Sequence, residues 1–187
     1  MLNTFDNVIK KWTSIKMIGM SLACFMASFA VINGKPFGVA QLKAITGGVG
    51  ILDMIPGYSP QQAYALFAAL GEQGRAFNLH YIVPQDFVFP ALYSIFYVIT
   101  TTSLFRKAFA ENHPLHKLIP LTLLGGLADY CENICIIIML LNYPTQLPAV
   151  ASVASIFTLA KFGGIGISLL MLLIGLIGLL SRSVRLK

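Results

Sequence analysis

The sequence predicts an all-α, polytopic membrane protein: a bundle of four transmembrane helices with an extracytoplasmic, partly helical insert between spans 1 and 2. Three observations predict it. Of 187 residues, 57% are hydrophobic and only 11% charged, against about 25% charged in a soluble domain. The mean hydropathy is +0.78. Four uninterrupted apolar runs reach the ~20 residues that a helix needs to cross a bilayer. The lysines and arginines cluster at the ends of those runs on one side. No stretch has room for a closed barrel, so helices are the remaining way to satisfy the backbone in lipid.

Span 1 is expected near residues 15–33, IKMIGMSLACFMASFAVIN. Its basic start, short apolar core and Ser28-Phe29-Ala30 also fit a cleavable leader. Continuation of the apolar run to Ile32 favours a retained anchor. The insert, 34–85, opens with Gly34, Gly38, Gly47, Gly48 and Gly50, which reads as loop or partly re-entrant structure. A helix then starts at YSPQQAYALF: Ser59 as cap, Pro60 at the first helical position and Gln62 completing a capping box. Ala63, Leu66, Phe67 and Leu70 make an apolar stripe at helical spacing. This helix is expected on the outer membrane surface or over the mouth of the bundle.

Span 2 is expected near 86–105, span 3 near 118–142 and span 4 near 149–181, all within one domain covering 1–187. Lys10, Lys11, Lys16, Arg106, Lys107, Lys117, Arg182, Arg185 and Lys187 fall on one side, and Lys35, Lys43 and Arg75 on the other. The bias places both termini in the cytoplasm and the chain in the cell (inner or plasma) membrane. The net charge of +6 is therefore topological. Basic residues form no patch with interleaved aromatics, which argues against a nucleic-acid partner. Cys24, Cys131 and Cys135 all lie in apolar runs without C-x-x-C or histidine spacing, so inert thiols are expected.

The unusual stretch is GGLADYCENICIIIML, 125–140. Asp129, Glu132 and Asn133 stand at i, i+3 and i+4, one face of a helix. A charge at the bilayer centre costs at least ~2.5–3.5 kcal/mol, so such residues turn inward and mark function. Counted from Leu118 at 1.5 Å per residue, Asp129 lies ~16 Å and Glu132 ~21 Å into a hydrocarbon layer ~30 Å thick. Lys161 on span 4 reads equally as their deep counter-ion or as a boundary lysine that snorkels. Ser155 and Thr158 would extend its polar stripe. Asp129 and Glu132 are the candidate catalytic pair. Asn133, Arg75, Asp86, Lys161, Glu72 and Tyr81 are candidate substrate-binding groups, although Glu72 with Arg75 also fits an ordinary surface pair and Asp86 a helix cap. His113 and His116 receive no role.

GYSP, LGEQGRAF with Leu79 and Tyr81 after it, DFVFPALY, ADYCEN and FTLAKF together resemble a family of small four-span prokaryotic integral membrane proteins. The likeness covers 53–162. It implies a membrane fold and no particular reaction. Neither G-x-S-x-G nor H-E-x-x-H occurs.

The composite reading is a buried carboxylate site, open toward the extracytoplasmic leaflet, that binds or modifies a lipid headgroup or small amphiphile. Enzyme status is left open by the absence of an identified nucleophile. A buried carboxyl can act as general acid or base; clustered carboxylates can instead hold Mg²⁺ or Ca²⁺ through oxygen. The alternatives are a proton- or ion-coupled transport component, and a structural or accessory subunit. The expected partners are membrane lipid and either a second copy of the chain or another membrane protein. Two arrangements of the 129–133 face are distinguishable: lining a pocket beneath 34–85, or locking span 3 to Lys161.

Overall fold

The computed structural model describes residues 12–185. Asp6, Lys10, Lys11 and Lys187, and the expected placement of the two termini, lie outside the described residues. Among the described residues six α-helices follow in order: α1 Ile15–Asn33, α2 Val39–Ile45, α3 Pro60–Phe77, α4 Val83–Ala108, α5 Leu124–Asn142 and α6 Pro148–Arg185. Short 3₁₀ turns at Leu52–Met54 and Pro114–Leu123 and a π-helical turn at Asn78–Ile82 join them. No strand occurs among the described residues. Four helical stretches among the described residues are long and apolar enough to cross a membrane: Ile15–Asn33, Pro60–Ala108, Pro114–Asn142 and Pro148–Arg182.

The distribution of side chains is that of a protein solvated by lipid. Only 11% of the apolar window of α1 is buried inside the protein, and Met20, Met26, Phe29 and Val31 all face outward. In α5 the polar residues Asp129, Glu132 and Asn133 are buried while Leu127, Ile134 and Leu141 are exposed. Water would impose the opposite order, because exposed apolar area costs ~25 cal/mol per Å².

The helices pack as a bundle in which α6 runs along both α5 and α4, and α1 lies chiefly along α4. Close crossing of α5 and α6 depends on two glycines. A Cβ on Gly164 would stand 2.6 Å from the Cα of Gly125, and one on Gly125 only 3.1 Å from the Ile165 nitrogen. Gly163 and Gly166 have open space instead.

The insert is partly helical, as expected, and its capping box forms: the Gln62 amide donates to Ser59 Oγ at 3.2 Å and the Ser59 amide to Gln62 Oε1 at 2.7 Å. Ala63, Phe67 and Leu70 of its stripe are buried in one core with Leu42, Leu52, Ile136, Met139, Ala151 and Ala154. The helix therefore lies over the facing ends of α5 and α6.

Two boundaries differ from expectation. The helix expected from 86 begins earlier, at Val83. It runs back through the π turn into α3 and is interrupted only at Gly71, whose φ of 64° and ψ of −179° suit glycine alone. Span 3 is α-helical only from Leu124. Pro120 lacks a donor and its ring crowds the carbonyl four residues back, so Pro114–Leu123 winds as 3₁₀ turns. The larger 3₁₀ rise of ~2.0 Å per residue carries Asp129 about 3 Å further along the axis than a uniform α-helix would.

Candidate functional site

Pro90 organises one wall of the site. It sits inside α4, where its missing N–H leaves the Asp86 carbonyl without its helical donor. Asn133 fills the vacancy: Nδ2 donates to the Asp86 carbonyl at 2.9 Å. One turn away Tyr130 donates its hydroxyl to the Phe87 carbonyl, also at 2.9 Å. These bonds fix α5 against α4 and bring Asp86 beside Asp129.

On the opposite flank, α6 presents Thr158 and Lys161. Lys161 Nζ lies 2.6 Å from Glu132 Oε2, 3.3 Å from Asp129 Oδ1 and 3.9 Å from Asp53 Oδ1. Thr158 donates to Glu132 Oε1 at 2.6 Å, so both Glu132 oxygens are engaged and the side chain is fully buried. Asp129 receives a hydrogen bond on Oδ2 from Tyr93 at 3.0 Å. Lys161 is thus a buried counter-ion of these acids. Ser155 continues the stripe by accepting from the Tyr58 amide at 2.8 Å, which seats the insert on α6. Burial pushes the Tyr58 phenol above its ordinary range, so it stays a neutral hydroxyl.

The acids outnumber the cation. Asp53, Asp86 and Asp129 place carboxylate oxygens within 4.8 Å of one another, and Glu132 is next to them through Lys161. No second cation pairs with this group among the described residues. At an effective dielectric of about 20, each pair of ionised carboxylates at 4.8 Å repels by ~3.5 kcal/mol. Asp53, Asp86, Asp129 and Lys161 line a cavity of 340 Å³ whose other walls are apolar apart from Asn33, and include Phe29, Ile32, Phe89, Phe162 and Ile165. Phe29, Met54 and Phe162 on its rim are exposed, so the cavity meets the protein's apolar outer surface. Neither Glu132 nor Asn133 lines it.

No protein-family model, curated protein or solved structure matches this chain. Its chemistry is legible only from the site.

Of the sequence-predicted residues, Asp129, Glu132, Asn133, Asp86 and Lys161 come together. Three do not. Arg75 donates to the Phe67 carbonyl at 2.9 Å and lies 3.9 Å over the Tyr143 ring. It caps the helical piece that ends at Gly71, where carbonyls lose their intrahelical donors. Glu72 is exposed and makes no ion pair among the described residues. Tyr81 is exposed, stacks on Phe37 and meets the Phe77 ring at a tilt. Two residues are added: Asp53, from the 3₁₀ turn of the insert, and Tyr93. Tyr93 had a signal, since it stands two turns after Asp86 and shares its helical face. Asp53 had none beyond being an acid between apolar neighbours.

Proposed function

We propose that this protein is an integral membrane protein that binds a membrane amphiphile in the cavity between α1, the insert, α4, α5 and α6, with the headgroup against Asp53, Asp86 and Asp129. One observation carries the reading: a cavity with apolar walls and an acidic floor that reaches the apolar surface of the bundle. An acyl or isoprenoid chain fits such walls, and a polar headgroup fits such a floor. The excess of carboxyls over cations is met by protons shared between the carboxyls or by positive charge that the bound species brings, on the headgroup or with it. The two candidate catalytic acids then separate. Asp129 faces the cavity and is the carboxyl placed to hold or move a proton on the ligand. Glu132, saturated by Lys161 and Thr158, locks α5 to α6. The cavity favours this reading over a purely structural subunit, which needs only the lock. We place the cavity in the extracytoplasmic leaflet from the charge bias of the sequence.

Native mass spectrometry of the protein released from mixed-lipid nanodiscs tests the proposal. Wild type should retain one amphiphile per chain with a headgroup preference, and folded Asp129→Asn should lose that preference while folded Glu132→Gln keeps it. An unchanged lipid profile in Asp129→Asn overturns the proposal.

A further inference from the structure

We propose that Asp53, Asp86 and Asp129 bind a single hard divalent cation through their carboxylate oxygens. The inference rests on the cavity being a ligand site, and it names what supplies the missing positive charge there. Oxygens sharing one cation at the ~2.4 Å typical of Ca²⁺ lie at most ~4.8 Å apart, which is the span these three carboxylates already satisfy.

Two observations point to an occupant. Asp53 Oδ1 is buried without a hydrogen-bond donor, its side chain is only 10% exposed, and the nearest cation atom is 3.9 Å away. Asp86 is 5% exposed, lines the cavity, has no ion-pair partner among the described residues and hydrogen-bonds to Asp53, another acid of the cluster. Buried carboxylates ordinarily pair or coordinate metal. Lys161 is shared: its shortest contact is to Glu132, outside the cavity, and its 3.3 Å and 3.9 Å contacts to Asp129 and Asp53 leave one ammonium facing several carboxylates.

The three ligands come from the insert, α4 and α5, so one cation would tie three separate elements together. A site with three carboxylates leaves coordination positions open on the cavity side. Those positions suit an oxygen donor of the headgroup, bridged to the protein by the cation.

The test uses the full chain, stripped with chelator and placed in phosphatidylcholine nanodiscs, which carry no net headgroup charge. Mn²⁺ is titrated and the free ion followed by electron paramagnetic resonance. One saturable Mn²⁺ per chain, displaced by Ca²⁺ or Mg²⁺, is expected. Loss of an outer-shell partner alone costs ~10-fold in metal affinity, so Asp86→Asn and Asp53→Asn should each weaken binding by about tenfold or more. Glu72→Gln, an exposed acid outside the site, should bind as wild type. If Asp86→Asn fails to fold, Asp53→Asn on the insert decides. Absence of saturable binding by monodisperse wild type up to ~1 mM, the weak end of carboxylate sites, overturns the inference, as does undiminished binding by the folded variants. Metal-free protein that still holds a selected amphiphile sinks the cation alone and leaves the cavity reading standing.

Discussion

Replacing Lys161 by methionine keeps most of the stem's volume and removes the ammonium. Glu132 is then left fully buried with Thr158 as its remaining partner. Stripping one member from a buried ion pair costs ~3–5 kcal/mol. A second route limits the damage, since Glu132 can take up a proton. For an ordinary glutamate of pKa ~4.3, that uptake costs ~3.7 kcal/mol at pH 7 and ~1 kcal/mol at pH 5. The cheaper route wins, so the variant should lose ~3–4 kcal/mol at pH 7 and only ~1 kcal/mol at pH 5 from this source. The sign follows from proton counting: the folded variant holds a proton on Glu132 that the unfolded chain has released, so its stability falls as pH rises above ~4.3. Asp129 also loses a contact at 3.3 Å, but keeps Tyr93. Reversible unfolding in mixed micelles of rising dodecyl sulfate fraction, followed by far-ultraviolet circular dichroism at both pH values, measures the effect. Lys161→Met combined with Glu132→Gln should recover more than half of the pH 7 loss, because the double change leaves no unpaired charge at Glu132. A pH-independent loss, or a double variant no better than the single one, would refute the assignment of Lys161 as the counter-ion of Glu132.

Two further changes probe the surroundings. Tyr93→Phe removes the donor to Asp129 Oδ2 and should cost ~1.5–3 kcal/mol, the range for a hydrogen bond to a charged group, in the same unfolding assay; no change would mean Asp129 is satisfied elsewhere. Gly164→Ala forces a methyl onto the Gly125 backbone and should destabilise by ~1–3 kcal/mol, whereas Gly163→Ala, with open space around it, should not; equal effects would sink the close-crossing account.

Much of the architecture was legible because lipid-facing helices announce themselves by apolar length. The bounds of α1 and the start of α6 at Pro148 lie within a residue of expectation. The Ser59 cap was legible because capping is local, made by side chains within one turn. The break at Gly71 was not, since a glycine in a helical pattern often stays helical, and only the seating of the first piece over α5 and α6 gives it a reason to turn. The 3₁₀ entry into α5 could have been inferred from Pro120, and the orphaned Asp86 carbonyl from Pro90.

Sequence alone determined that this is a multi-helix membrane chain with three polar residues on one inward face of α5. Helical periodicity and the cost of charge in hydrocarbon suffice for that, because both act within a single helix. Only the tertiary structure decided how the acids divide. Glu132 belongs to Lys161, and Asp129 joins Asp86 and Asp53 on a cavity floor, because a loop residue and three helices meet there through contacts that no period in the chain encodes.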